Sequence, residues 1–319
     1  IAGELPASPT QLSQGSGPVT IDSNVIQANL ASDDGGGIRL LQTSGSHISR
    51  LTPETINITN NTIANNVSAH EGGGIALDDA AFVNIVGNTV AKNMTTATAV
   101  TSDGTPAPAG LSTAANSDPL QARLKSTLLF TGAANLGNTL FSKPTLLDDV
   151  FWDNRAGSFS GGYVYGIGGQ LPDGTDNDVN NWDMGVVDVP GALLTPTGSV
   201  VQEPTGTAAS ATNVSADPVF GSPYDVSVNV LASRSYPAFR QSAIVAEMLP
   251  PSLMGDYHVG AGSSARGTGL ASTTVTWGTG FFGWSYTVSS PTRDIDGNAR
   301  PTVVGTARRY DAGSDQMTP

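Results

Sequence analysis

One phrase recurs along this chain, and its spacing constrains the fold more than any single residue. Asn24-Val25-Ile26-Gln27-Ala28-Asn29 runs through Asp33-Asp34 into Gly35-Gly36-Gly37-Ile38-Arg39-Leu40. The same phrase returns 37 residues later as Asn61-Thr62-Ile63-Ala64-Asn65-Asn66, followed by His70-Glu71 and Gly72-Gly73-Gly74-Ile75-Ala76-Leu77. A third copy lies 27 residues further on, where Asn57, Ile58, Asn61, Thr62, Ala64 and Asn66 reappear as Asn84, Ile85, Asn88, Thr89, Ala91 and Asn93. A weaker fourth lies 88 beyond the second and aligns Asn66 with Asn154, Gly73-Gly74 with Gly161-Gly162, and Ile75 and Leu77 with Tyr163 and Tyr165. Repeats of this length are the signature of stacked architectures, in which a unit cannot bury its apolar face alone.

Within each copy apolar residues alternate with polar ones, as in Ile56-Asn57-Ile58-Thr59 and Val83-Asn84-Ile85-Val86. A period of two indicates short strands. Strands of four or five residues become stable when successive units share a core and pair backbones at about 4.8 Å. The predicted fold is all-β: a right-handed parallel β-helix with long corner loops and a C-terminal closing module. Asn29, Asn66, Asn93 and Asn154 occupy one matched position and are expected to stack as a ladder. Gly35, Gly36, Gly37, Gly72, Gly73 and Gly74 are expected to supply positive φ at a sharp corner.

The coils are expected over 18–94 and 144–169, with loops at 42–54 and 95–117. Asp118 and Pro119 read as the cap and first position of a short helix through Lys125, after which 126–131 reads as renewed coiling. Residues 171–253 read as an irregular excursion packed on the solenoid and 254–319 as the closing module, so that 1–170, 171–253 and 254–319 form one continuous structural domain. Fourteen Lys and Arg oppose 27 Asp and Glu, a net charge of −13 that repels phosphate backbones and makes nucleic acid an unsuitable partner. With no cysteine, disulfides and thiolate chemistry are excluded. No run of 18 apolar residues is present to span a membrane. The chain begins at Ile1 with no basic-plus-apolar leader, which predicts a mature or excised piece of a longer polypeptide. The composition points to an extracellular or cell-surface location.

At the Asn-x-Ile-x-x-Asn and Gly-Gly-Gly-Ile phrases the chain resembles the right-handed β-helix proteins of the pectate-lyase-like superfamily, including polymorphic-outer-membrane-protein repeats. Asp217-Pro218-Val219-Phe220, Gly255-Asp256-Tyr257-His258-Val259, Gly262-Ser263-Ser264-Ala265-Arg266-Gly267-Thr268-Gly269, Asp294-Ile295-Asp296-Gly297-Asn298-Ala299-Arg300-Pro301 and 311–316 resemble the closing phrases of bacterial β-helix proteins with a choice-of-anchor C-terminal module. Here Ser264 replaces the usual proline, and Gly267 the usual acidic residue. The resemblance implies fold and a bacterial surface or secreted setting, but not one activity, because this fold hosts lyases, hydrolases, adhesins and spacers.

Lyases of that superfamily use acidic Ca²⁺ ligands and a basic residue; the related hydrolases use paired carboxylates, usually with a Gly-His-Gly phrase that this chain lacks. The candidates for such chemistry are Asp33, Asp34, Asp78, Asp79, Asp148 and Asp149, with Arg39 beside the first pair. Sequential carboxylates on a strand point to opposite faces, which favours solvated corners over a catalytic centre. His47, His70 and His258 share no metal-ligand spacing. Asp294 to Asn298 opens like a calcium loop but lacks its closing acid, so a hydrogen-bonded turn is expected, with no cofactor. Asn57, Asn60, Asn66, Asn93 and Asn213 each begin an Asn-x-Ser/Thr sequon, most of them explained by the repeat. Trp277, Phe281, Phe282, Trp284 and Tyr286 form an aromatic stretch suited to closing the solenoid's end, to subunit contact or to sugar stacking. The reading is therefore a non-enzymatic extracellular scaffold, spacer or docking module that partners other subunits or the rest of its precursor. The alternatives are a polysaccharide lyase or hydrolase with corner carboxylates, or a carbohydrate-binding adhesin.

Overall fold

The structure is a computed structural model that describes the chain except residues 5, 7, 9, 49–53, 128–138, 237–238, 249–254, 278–283, 302–309 and 318–319, and the side chains of 231–236, 239–248, 277 and 284. Four parallel stacks form a right-handed β-helix. Stack one joins Val19–Asp22, Ile56–Thr59, Val83–Val86, Thr145–Leu147 and Pro196–Thr197; stack two joins Val25–Gln27, Thr62–Ala64, Thr89–Ala91, Val150–Trp152 and Val200–Val201. Stack three joins Leu30–Ala31, Val67–Ser68, Met94–Thr95 and Arg155–Ala156, and stack four joins Ile38–Leu41, Ile75–Asp78, Leu111–Thr113 and Met184–Val186. Coils one to four thus begin at residues 19, 56, 83 and 145. The predicted register holds, with Ile56 opposite Val19 and Val83, and Asn57 opposite Thr20 and Asn84.

Alternation drives the coiling, because the inward members of each strand are apolar and meet their equivalents one coil away. Ile58 lies against Ile85, and Ile63 and Val90 lie in one column with Phe151; all are fully buried. Each such side chain contributes about 1.5–3 kcal/mol by leaving water. The core runs the length of the solenoid.

Two corners turn in two residues. Between stacks one and two, Ser23, Asn60, Gly87, Asp148 and Gly198 all adopt left-handed backbone, with φ of 57°, 55°, 64°, 58° and 62°. Between stacks two and three Ala28, Asn65, Lys92 and Asp153 do the same. The residue after each turn carries the ladder. Asn66 Oδ1 accepts from the backbone N–H and Nδ2 of Asn29 at 3.1 and 2.8 Å, while Asn66 Nδ2 donates to Asn93 Oδ1 at 3.0 Å and to the Ile26 carbonyl at 2.9 Å. Asn93 and Asn154 repeat the pattern, and Asp183 accepts at its end. A second ladder, Asn24, Asn61, Asn88 and Asp149, runs up the neighbouring corner. Its members recur at the same offsets as the first, so it was readable from the repeat, which assigned ladder bonding to one column alone.

Each glycine triplet divides its roles. Gly35 and Gly72 alone have positive φ, 70° and 61°. The third glycine gives the ladder room instead, since a Cβ on Gly37 would stand 3.0 Å from Asn66 Nδ2 and one on Gly74 3.0 Å from Asn93 Nδ2. Gly110 holds the equivalent place against Asn154.

Several expectations change. Gly161-Gly162 does not continue the triplets; both glycines turn an antiparallel hairpin of Ser158–Ser160 with Tyr163–Tyr165, and the true stack-four partner is Met184–Val186. Leu111–Thr113, inside the expected loop, is a buried strand. Residues 184–201 continue the stacks, so the expected boundary at 170 falls inside the solenoid. The helix spans Asp118–Thr127, with Ser117 rather than Asp118 at its cap: the Ser117 carbonyl accepts from Gln121 N, and Leu120 N reaches Ser117 Oγ at 3.5 Å. Ser126 and Thr127 therefore belong to the helix, and 128–131 lies outside the described residues. The aromatic hairpin, Ser272–Trp277 with Trp284–Ser289, lies on the side of the solenoid and not across its end. Val86 and Leu147 face outward from stack one, and Val288, Val275, Tyr286 and Leu270 cover them.

Asn66→Leu is expected to leave Asn29 N and Asn93 Oδ1 short of their ladder partner and to strip the Ile26 carbonyl of its side-chain donor, lowering the melting temperature by roughly 5 °C or more. An unchanged value in a calorimetric scan would count against the ladder.

Candidate functional site

The corner between stacks three and four gathers more ionisable groups than sequence reasoning assigned to it. Asp34 and Glu71 share the 37-residue offset, so the coils bring them to the same corner on adjacent rungs. Arg39 projects from the outer face of stack four; its Nη1 meets Asp33 Oδ2 at 3.3 Å and its Nη2 meets Asp34 Oδ2 at 2.8 Å. His70 Nδ1 lies 2.8 Å from Asp34 Oδ1, and Thr101 Oγ1 donates to Asp33 Oδ1 at 2.8 Å. Glu71 is buried beneath them and accepts from Ser112 Oγ at 3.0 Å. Burial, with Asp34 nearby, pushes the Glu71 carboxyl up to about 7, and burial with Asp79 pushes Asp78 up to about 6. The bond to Asp34 raises His70 above its ordinary value. One ligand atom from each of Asp33, Asp34 and His70 lies within 4.8 Å of the others, but Arg39 already supplies positive charge to both aspartates. His258, Asp296 and Asp315 form a second such group, in which His258 Nε2 meets Asp296 Oδ2 at 2.9 Å.

The remaining candidate carboxylates are dispersed. Asp79 accepts from the N–H and hydroxyl of Ser117 at 2.7 and 2.6 Å, which fastens the helix to the end of coil two. Asp148 is fully buried under the closing module, where Leu270 N donates to Oδ1 at 2.7 Å and the Ser290 hydroxyl donates to Oδ2. Burial pushes Asp148 up to about 7. Asp149 sits in the second ladder with Oδ1 accepting from Asn88, while its buried Oδ2 has no partner. Burial raises Asp149 well above its ordinary value. Neither pair converges: Asp78 ends a strand and Asp79 holds the helix, while Asp148 and Asp149 share one turn but point to the closing module and to the ladder.

The C-terminal segments seal this side. Arg300, 2% exposed, donates to the carbonyls of Asp311 and Gly313 at 2.8 and 2.6 Å and reaches Asn60 Oδ1 at 3.4 Å. Ser314 bonds Thr62 and Thr89, and Tyr257 packs on Ala64 and Ala91 while donating to Asn65 Oδ1. Asp294 Oδ1 accepts the N–H groups of Asp296 and Asn298, and Oδ2 accepts from Gln316 N, so this loop is the hydrogen-bonded turn its sequence predicts. Asn60, Asn66 and Asn93 are buried in corner bonding, which accounts for those sequons.

A cleft of about 470 Å³ opens between the 158–177 region and Asp225 to Val230, lined by Arg155, Tyr163, Gln170, Asn177 and Asp225 among others. Lys92 and Arg155 clamp its floor through Asp153 and Asp225 at 2.5–3.0 Å. Burial opposes ionisation of Asp153, yet Arg155 and Lys92 hold it below its ordinary value. Lys92 and Asp153 are equivalent corner positions on adjacent coils, but sequence reasoning missed the network because Asp225 comes from a segment outside the repeat. Of the aromatic stretch, Phe281 and Phe282 lie outside the described residues, as do the side chains of Trp277 and Trp284, and Tyr286 is half-buried against stack one.

Buried carboxyls whose folded value is raised bind protons that the unfolded chain has released. Stability is therefore present at low pH and declines as pH climbs from about 4 through 6–7 for Glu71, Asp78, Asp148 and Asp183, the last raised by burial to about 6. Raised His70 acts in the same direction, losing its contribution above its folded value. The melting temperature at pH 5 is expected to exceed that at pH 8 by about 5 °C or more. Asp149→Asn extends the amide ladder and removes the unpartnered oxygen, so it should stabilise the chain at pH 8 by about 1–3 kcal/mol; denaturant titration that finds it destabilised would contradict this account.

Residues 11–114, roughly a third of the chain, match the family model for a right handed beta helix region. No curated protein and no solved structure matches the chain. No helix among the described residues is long and apolar enough to cross a membrane. What this chain shares with a known family is the coiled architecture itself, read in its stacks and matched over its first coils.

Proposed function

We propose that this chain is a non-enzymatic extracellular β-helix module of a larger surface or secreted protein, acting as scaffold and docking surface. The observation that carries the reading is the fate of the carboxylates. Asp33, Asp34, Asp79, Asp148 and Asp149 are each bonded to the chain's own donors, and the last two are fully buried, so these carboxylates are engaged in holding corners, helix and closing module together. The closing phrases at 256–269, 294–301 and 310–317 pack on the corner of stacks one and two, which supports kinship with β-helix proteins that carry a choice-of-anchor module. No cofactor is needed for this role.

A lyase or hydrolase is the competing reading, favoured by one feature: Glu71 and Asp78, with values lifted to about 7 and 6, beside Arg39 and His70. Carboxyl values raised towards neutrality suit general acid–base work. Incubation with uronate-containing and neutral polysaccharides, with and without Ca²⁺, is expected to yield no unsaturated or reducing product. Turnover that disappears in Asp78→Ala or Glu71→Gln would replace the scaffold with an enzyme.

A further inference from the structure

The head of the solenoid, ahead of coil one, is where the bonding pattern stops short. Among the described residues Val19–Asp22, Val25–Gln27 and Leu30–Ala31 are each paired on one side only. Val25 and Leu30 are 50% and 47% exposed, and the inward-facing Ile21 and Ile26 are partly buried. Both ladders end in the same place. Asn61 Oδ1 receives the N–H and Nδ2 of Asn24, both at 3.0 Å, as Asn66 Oδ1 receives those of Asn29. Nothing among the described residues donates to Oδ1 of Asn24 or Asn29, and their Nδ2 groups also turn back to the Asp22 and Gln27 carbonyls of their own coil.

Stack four shows what fits one rung further out. Ala2 bridges Leu41 in parallel, Leu41 N donates to the Ile1 carbonyl at 3.0 Å, and Gly3 N donates to the Leu41 carbonyl at 2.9 Å. An extended parallel segment therefore already occupies this level on one of four sides. Exposed strand edges accept added strands through main-chain hydrogen bonds, with side-chain fit giving selectivity.

We propose that the head of coil one is a strand-addition surface for an extended polypeptide supplied in trans by a partner, laid parallel over stacks one to three, with apolar residues above Ile21 and Ile26 and N–H groups on Oδ1 of Asn24 and Asn29. The occupant is an uncharged, repeat-like segment. Asp22 is the sole charged residue in 19–31, so the surface offers little to a basic peptide despite the net charge of −13. A second copy of this chain fits less well, because the tail closes one ladder on itself: Asp183 accepts from Asn154 through Oδ1 and from Glu203 N through Oδ2. This inference rests on the docking role proposed above.

The test titrates a labelled peptide of residues 55–69, the segment that stacks on the other edge of coil one, into the full chain and follows fluorescence anisotropy. Saturable binding is expected, weakened about tenfold or more in the Asn24→Leu/Asn29→Leu variant. That variant should melt within a few degrees of the parent, since both side chains are exposed. No binding, or equal binding by the variant, overturns the proposal. Sedimentation of the chain alone reports on the other occupant: concentration-dependent growth abolished by Val25→Lys would assign the surface to a second copy instead. Failure here leaves the scaffold role standing, whereas polysaccharide turnover would remove that role without altering the peptide measurement.

Discussion

The structure depends on one exchange of hydrogen bonds at its two tight corners. A two-residue turn with left-handed backbone lifts the following N–H off the strand ladder, and a buried N–H without an acceptor is costly. The side-chain amide of the next coil supplies that acceptor, and its own N–H group returns to a carbonyl of the coil before. Each coil thereby finishes the corner of its neighbour. Corners bonded in this way keep their length, and across the coils the one-to-two and two-to-three turns always hold two residues. Every insertion falls at the other two corners, where the 10-residue helix and the Ser158–Tyr165 hairpin leave the coil. The registers on either side are undisturbed.

This division explains what could be read in advance. Coils and ladder positions were legible because ladder corners tolerate neither insertion nor deletion, so the two columns keep one separation in every coil, at Asn24/Asn29, Asn61/Asn66, Asn88/Asn93 and Asp149/Asn154. Stack four was legible in coils one and two, where glycines mark its entrance, and illegible afterwards. There a loop of free length precedes Leu111–Thr113 and Met184–Val186, and Gly161-Gly162 offered a false match. The glycines were recognised but half misread, since two of each three are there for close approach and not for φ. Of the candidate site, the meeting of Asp34 with Glu71 follows from the repeat. Their burial under Arg39 and Thr101 does not, because it depends on a loop from coil three. The fates of Asp79 and Asp148 depend on contacts with the helix and the closing module, which leave no periodic trace in sequence.

Aspartate at ladder positions is the chemical oddity of the fold. Asp149 and Asp183 stand at positions that other coils fill with asparagine, each without exposure to solvent. Asp183 makes use of its second oxygen by accepting the Glu203 N–H, so there a carboxylate ends the column. Asp149 has no such use for its second oxygen. The two acids look alike in sequence and differ only in what the next segment brings to them.

The closing module has a mechanical consequence. Its contacts fall on three successive turns of the solenoid: Arg300 on Asn60, Ser314 on Thr89, and Leu270, Ser290 and Gly313 on Asp148. A tether pulling the last turns outward cannot peel them one at a time, because the same strap grips their neighbours. Tension along the axis is instead shared over several rungs at once, as in a splint laid across a stack of plates.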